Sequence, residues 1–419
     1  MVKVRAFETC SAREAVARVS SGHAVAMTSL SAEPLTLTTA LWERAPELRD
    51  VTIVTGMMVT GYPFLKIPAS PFRLRTWFMP GTLLGGSFKQ ISADYLPLSW
   101  AQTVRYLDQL KPDVMMLQVG PADQDGFHSL GVTTSFTRPM MRGAGVVIAE
   151  VNRQMPRTCG QSLVHRSEFD LIVHADYPLP SFPSRPGDET DDRIGQLAAT
   201  LVPDGATLQF GVGTIPGATV RALIQAGRRD LRILSQITDA AMQLIKAGAC
   251  VATDPKALVC EIYGSRELYR WVDRNEAVSM VSDGLGTHSI ESFEGRSPFV
   301  AINSGLELDL LGQLNSEMIE GRQVGAIGGS LDFAIAAQFQ GGTSVIAIRS
   351  TTKQGTSRIV PQLPQGAVSV PRTLLQFVVT EFGIADLRNR PVRERAEALT
   401  EIAHPDHREM LRAAASRLA

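Results

Sequence analysis

The stretch Gly205 to Gly248, GATLQFGVGTIPGATVRALIQAGRRDLRILSQITDAAMQLIKAG, decides the fold class. Ala206 to Phe210 is a short apolar run with β-branched character, halted by Gly211-Val212-Gly213-Thr214-Ile215-Pro216. A proline there suits the first turn of a helix, whose leading N–H groups have no intrahelical acceptor in any case. Val220, Leu223 and Ile224 then recur at helical spacing until Gly227. Leu231 to Ile237 starts the pattern again, Thr238-Asp239 is a capping pair, Ala241, Leu244 and Ile245 share a face, and Gly248 closes the helix. Two consecutive strand-loop-helix units predict a parallel sheet with both loops at its carboxyl edge, where α/β proteins bind ligands.

The rest of the chain repeats this style. Apolar runs bounded by turn residues lie at Ala24 to Met27, Val51 to Val54, Val114 to Val119, Val146 to Val151 and Leu171 to His174, with helical segments at Pro34 to Ala45 and Trp100 to Leu110. Ser11 with Glu14 reads as a capping box opening a helix. Further strands are expected at Phe299 to Asn303, Ser344 to Ile348 and Phe377 to Thr380, and a basic, alanine-rich helix from Asp406 onward. Interleaved strands and helices predict an α/β protein with mainly parallel sheets covered on both faces. A length of 419 residues exceeds one ordinary core, so two domains are expected. PLPSFPSRPGDETDD, Pro178 to Asp192, reads as the connection because proline-rich polar sequence neither packs nor continues a helix. The domains are then 1–180 and 193–419, with 181–192 as linker.

Composition narrows the partner. With 41 Lys and Arg against 42 Asp and Glu, the net charge of -1 gives no electrostatic case for nucleic acid or an anionic membrane, so a small molecule is expected. The four cysteines, Cys10, Cys159, Cys250 and Cys260, include no CxxC and suggest neither a metal site nor a disulfide framework. MVKVRAFETCSAREAV has no apolar signal region and no run approaches a membrane span, so a cytoplasmic protein is expected.

Gly211, Gly213 and Gly217 miss the dinucleotide spacing GxGxxG by one, and no GxxxxGK[ST] occurs. A second cluster, Gly325-Ala326-Ile327-Gly328-Gly329, also sits in a turn. Adjacent glycines let backbone N–H groups face a ligand without an intervening side chain, as an oxyanion or phosphate contact requires. Tight turns alone would explain either cluster. Together on loops at strand ends they point to a site.

Long blocks carry a resemblance. GPADQDGFHSLG (Gly120 to Gly131), VIAEVNRQMPRTCG (Val147 to Gly160), DGATLQFGVGTIP (Asp204 to Pro216), FVAINSGLELDLLGQLN (Phe299 to Asn315), IGGSLDF (Ile327 to Phe333), SRIVP (Ser357 to Pro361), VVTEFGIADLRNRPVRERAEAL (Val378 to Leu399) and IAHPDHREML (Ile402 to Leu411) resemble the acetyl-CoA hydrolase/transferase family, the class I CoA-transferases that include 4-hydroxybutyrate CoA-transferases. The resemblance implies two related α/β domains, an active site in the cleft between them, coenzyme A as part of an acyl-CoA substrate, no metal, and a dimer or higher homo-oligomer. It implies a glutamate that attacks the thioester to give a mixed anhydride, then an enzyme glutamyl-CoA thioester. It also implies that Gly211, Val212 and Gly213 lie along CoA and that Gly328 and Gly329 belong to the second loop, where Ala326 stands in place of the family's first glycine and Gly325 lies one step before it.

At the nucleophile the sequence departs from the family motif His-Thr-Glu, since Leu234-Ser235-Gln236 stands there and no acid lies between Asp230 and Asp239. Gln236 thus marks an apparent Glu-to-Gln replacement. Glu381 is the best substitute acid, Glu261 has a weaker claim and Asp239, a helix cap by its pattern, a weaker one again. A structural carboxylate is the plainer reading of Glu381. His128 could act as a general base or simply pack, and Ser235 could accept an acyl group only with a base beside it. Lys353 and Arg358 are candidates for the CoA phosphates, against solvated surface charge. Met57-Met58 and Met140-Met141 could line an acyl pocket, with core filling the ordinary explanation. Three readings stay open: a CoA-transferase or acyl-CoA hydrolase with a displaced acid, a repurposed acyltransferase without an enzyme-CoA bond, and a non-catalytic thioester-binding homologue.

Overall fold

The computed structural model describes residues 7–79, 93–182, 186–296, 298–363 and 366–418. Residues 183–185 of the expected linker lie outside them. The chain forms two compact units, one of Met1–Pro183, Ser235–Asp239 and Ala257–Thr287, the other of Ser184–Leu234, Ala240–Lys256 and His288–Ala419.

The first unit is built on an eight-stranded sheet in the order Glu8–Thr9, Leu171–Ala175, Val146–Asn152, Val114–Val119, Ala24–Met27, Val51–Val54, Phe72–Thr76, Ala93–Tyr95. Every pairing in it is parallel. Successive strand residues point to opposite faces, and the core divides accordingly. Val25, Met27, Ile53 and Met116 join one apolar cluster with Leu37 and Leu41, whereas Ala26, Val54, Met115 and Leu117 join another with Leu107 and Met140. Both faces of this sheet are therefore covered, as an all-parallel sheet demands. Met58 packs in the first cluster and Met140 and Met141 in the second, so these methionines fill core.

A second, shorter ladder of this unit pairs Ala257–Ile262 with Val278–Met280, and the latter with Cys159–Gly160, all in parallel. The segment 131–139 is laced to it: Ile262 N–H donates to the Val132 carbonyl at 2.8 Å and Thr134 N–H to the Cys260 carbonyl at 2.9 Å.

The other unit carries Thr207–Phe210 flanked by Arg232–Ile237 and Phe299–Asn303, then Thr343–Ala347 and Phe377–Thr380, each pair parallel, with Gly383–Asp386 antiparallel at the edge. Strand Arg232–Ile237 begins in this unit, and its residues from Ser235 onward belong to the first. The helices Glu189–Thr200 and Thr214–Gln225 approach closely at Gly195, where an added Cβ would fall 2.6 Å from the Ala218 carbonyl carbon. The first of them starts earlier than the sequence suggests. Asp188 caps it and reciprocates with Asp191, and the acidic run Glu189, Asp191, Asp192 forms its first turn, where negative charge meets the positive end of the helix dipole.

Candidate functional site

Glu261 stands near the carboxyl end of strand Ala257–Ile262, inside the apolar run ALVCEI, and is only 3% exposed. Its Oε1 accepts a hydrogen bond from Thr133 Oγ1 at 2.8 Å. Its Oε2 is buried and has no hydrogen-bond partner. The Ser135 hydroxyl, bonded to the Cys260 carbonyl at 3.4 Å, also faces the carboxyl group. Burial dominates over these hydroxyls and pushes the Glu261 carboxyl up to about 8. Leaving a buried polar atom unpaired costs about 1–3 kcal/mol, so a native fold that keeps one calls for a reason.

Two candidates from the organising stretch meet this strand. The Tyr263 hydroxyl donates to Gln236 Oε1 at 2.6 Å, and the Cys260 thiol donates to the Ser235 carbonyl at 3.4 Å. Ser235 is buried and holds φ at 85°, a left-handed conformation that costs a non-glycine residue about 1–3 kcal/mol. Tyr263 is wholly buried, and burial together with Glu261 and Cys260 raises its hydroxyl well above the ordinary range. Gln236 is thereby tied to Tyr263, two residues beyond Glu261 in the chain. Asp239 accepts from Ser265 N–H at 3.1 Å and from the Ser265 hydroxyl at 2.5 Å, which fixes the turn before helix Arg266–Trp271.

The other candidates are held by structural bonds. Glu381, in the second unit, accepts from Ser350 N–H at 3.0 Å and Ser350 Oγ at 2.6 Å, so both of its oxygens brace a neighbouring loop. His128 is 4% exposed, bonds the Gly120 carbonyl through Nδ1 at 2.7 Å, and meets the Phe169 ring edgewise at 5.4 Å. Burial lowers its pKa, which makes the neutral ring its resting form. Arg358 donates from its guanidinium to the Gly305 and Leu306 carbonyls, at 3.4 and 3.2 Å, and burial lowers its pKa. Lys353 is exposed on the turn that precedes it.

In the glycine loops the amides divide. Gly211 N–H is taken by the Ile302 carbonyl at 2.8 Å and Gly325 N–H by the Glu317 carbonyl at 2.9 Å. Gly325 is required sterically, since a Cβ there would lie 2.2 Å from the Ser316 carbonyl oxygen. No partner is found among the described residues for the N–H groups of Val212, Gly213, Gly328 and Gly329. Gly213, at φ 123°, caps helix Thr214–Gln225, and Gly329 caps helix Ser330–Phe339, neither with a side-chain bond. Beneath the first loop, Gln209 and Asn303 exchange side-chain amide bonds of 3.2 and 2.9 Å. Among the described residues no cluster of His, Cys, Asp or Glu is arranged to hold a metal ion, and no helix is long and apolar enough to cross a membrane.

Parallel α/β units, a buried carboxyl with one bare oxygen and glycine loops with open amides are features that suit acyl transfer chemistry. The chain belongs to the acetyl-CoA hydrolase/transferase family: the N-terminal domain model of that family matches residues 4–182 and the C-terminal domain model residues 264–415. It is 35% identical to 4-hydroxybutyrate coenzyme A transferase of Clostridium kluyveri, over 96% of this chain and 95% of that one. It is 32% identical to butyryl-CoA:acetate CoA-transferase of Anaerostipes caccae, over 96% and 94%. Among solved structures, RipA of Yersinia pestis matches with a TM-score of 0.88 at 31% identity, covering 98% of this chain and 97% of that one. A 4-hydroxybutyrate CoA-transferase of Porphyromonas gingivalis matches with a TM-score of 0.82 at 32% identity, covering 98% of each. The chain is an acyl-CoA-dependent enzyme, as its resemblance implies.

Glu261, given a weaker claim than Glu381 by the sequence alone, is the sole acid in an apolar strand run that leads to Tyr263-Gly264.

Proposed function

We propose that this enzyme is an acyl-CoA:carboxylate CoA-transferase in which Glu261 carries the covalent step. The observation that carries the reading is the buried Glu261 carboxyl, anchored through Oε1 and bare at Oε2. Oε2 attacks the acyl carbonyl carbon, the C–S bond breaks, and CoA leaves as thiolate. The mixed anhydride is then attacked at the Glu261 Cδ by that thiolate, releasing the first acid and leaving a glutamyl-CoA thioester. An acceptor carboxylate then attacks Cδ and expels CoA as thiolate, and the thiolate attacks the acceptor's acyl carbon in the new anhydride, which releases the new acyl-CoA and restores the Glu261 carboxylate, so atoms and charge balance. Burial favours this chemistry by leaving the carboxylate poorly solvated and more basic.

On this reading no replacement of the nucleophile at Gln236 is needed. Gln236 accepts from the Tyr263 hydroxyl, and a neutral amide so engaged has no part in the covalent step. The open amides of Val212, Gly213, Gly328 and Gly329 are proposed as donors to the acyl-CoA, and Lys353 as a contact for its phosphates. The names of the relatives support small carboxylic acids as donors and acceptors. A direct acyl transfer to an amine or alcohol would leave the exposed cost of the bare carboxyl unexplained.

The test is to incubate the protein with acetyl-, butyryl-, succinyl- and 4-hydroxybutyryl-CoA, reduce with borohydride, and map the modified peptide by mass spectrometry. A reduced residue at Glu261, retained in Glu381→Gln, is expected. A label at Glu381, or turnover of any of the four with no label, would remove the proposal.

A further inference from the structure

The covalent route proposed above passes through tetrahedral centres on two different carbons. Attack on the acyl carbon places negative charge on the substrate's oxygen. Attack on the Glu261 Cδ, by CoA thiolate on the anhydride or by an acceptor carboxylate on the glutamyl thioester, places it on a protein oxygen. Only Oε1 can hold that second charge, because Oε2 is by then the bridging atom of the anhydride or has left with the released acid.

We propose that the Thr133 hydroxyl is the donor that stabilises the oxyanion forming on Glu261 Oε1. The inference rests on Glu261 as the nucleophile. Thr133 Oγ1 already lies 2.8 Å from Oε1, within the range a hydrogen bond to a developing oxyanion needs. The donor is 5% exposed, so water does not compete for it. Its position is fixed by the backbone on both sides of the carboxyl: Thr133 and Glu261 form an antiparallel bridge, Val132 and Thr134 bond the residues after and before Glu261, and Thr137 Oγ1 returns to the Thr133 carbonyl at 3.3 Å. A donor set in place before reaction costs nothing to orient during it. The same bond decides which oxygen attacks, since holding Oε1 leaves Oε2 as the free one.

In the resting enzyme the bond is shared with an ionised or neutral carboxyl. In the tetrahedral state a full charge sits on Oε1 alone, and there the donor gains strength. The larger effect therefore falls on formation and discharge of the glutamyl-CoA thioester rather than on binding.

The test uses Thr133→Val, which keeps the shape and removes the donor, and Thr133→Ser, which keeps the donor. The probe is whichever of the four acyl-CoAs named above turns over fastest. The glutamyl-CoA adduct is followed by intact-mass spectrometry during its formation and its discharge by acetate. Thr133→Val is expected to slow both by about 10²–10³, the usual loss for one oxyanion donor, with KM for the acyl-CoA within about threefold. Thr133→Ser is expected to stay within about tenfold of the parent. If the valine variant does not fold, Thr133→Ala takes its place with the same expectation. Parent-like rates in the donorless variant, or equal losses in the valine and serine variants, overturn the assignment while the adduct on Glu261 stands. An adduct on any other residue of the parent protein overturns it together with the reading beneath it.

Discussion

Glu261→Gln should abolish turnover, with a loss of about 10⁴-fold or more in kcat, and should leave no borohydride-trapped adduct. A neutral amide neither attacks a thioester nor leaves a carbonyl that a thiolate can reopen, and losses of that size follow when the nucleophile itself is removed. The fold should survive, because the amide oxygen can still accept from Thr133 and a buried charge-forming group has been replaced by one that never ionises. KM or the dissociation constant for acyl-CoA, measured by calorimetry on the variant, should stay within a few-fold of the parent. Glu261→Asp adds a geometric test. Shortening the side chain by one methylene withdraws the carboxyl from Thr133, and a misplacement of about 1 Å costs on the order of 10²-fold. Glu261→Gln retaining more than a hundredth of the parent activity would show that the covalent step lies elsewhere.

How much of this was legible beforehand is uneven, and the reasons are physical. Strand Thr207–Phe210 and the helices Thr214–Gln225 and Asp239–Lys246 follow from hydrophobic period and from glycine and proline punctuation, both local signals. The capping box of Ser11 and Glu14 is likewise local and is present as expected. Phe72–Thr76, FRLRT, was not read as a strand, although it pairs in parallel with Val51–Val54. Its alternating arginines point outward from a strand near the sheet edge, and such a pattern looks like exposed loop. The acidic end of the expected linker belongs to a helix, because Asp188 has a capping role that polar composition alone does not distinguish from a coil.

The stretch containing Ser235 and Gln236 reads as central in the sequence, and it meets the strand that carries Glu261 through Cys260 and Tyr263. The carboxylate comes from a strand about a turn and a helix further on, since Ser235 and Cys260 touch across 25 residues of sequence. Strand adjacency is a tertiary property, so the sequence names Glu261 among the substitute acids but gives no ground to rank it above Glu381. The partners of His128, Glu381 and Arg358 were equally invisible, each of these residues being chemically able to act and instead engaged with a backbone or hydroxyl group.

The pH dependence of rate and that of stability should run in opposite directions, and a single group should cause both. The attacking species is the Glu261 carboxylate, and burial holds its protonation near pH 8 in the free enzyme. Two units below that value about one molecule in a hundred is ionised, so kcat/KM should climb about tenfold per unit from pH 6 to 7 and flatten above about 8. In the unfolded chain the same group titrates at the ordinary glutamate value of 4.5. Between 4.5 and about 8 the folded protein keeps a proton that the unfolded chain has released, so stability falls as pH rises through that window and levels off above it. Glu33 and Glu150, each raised to about 7 by burial, contribute slopes of the same sign, so the parent curve alone would not isolate Glu261. The difference between parent and Glu261→Gln does, because the other two cancel. Thermal melts from pH 5 to 9 should show the variant gaining on the parent as pH rises, with the gain saturating above about 8. A constant difference across the range, or a rate profile already flat at pH 6, would mean that this carboxyl is ionised throughout and that its bare oxygen is solvated in solution.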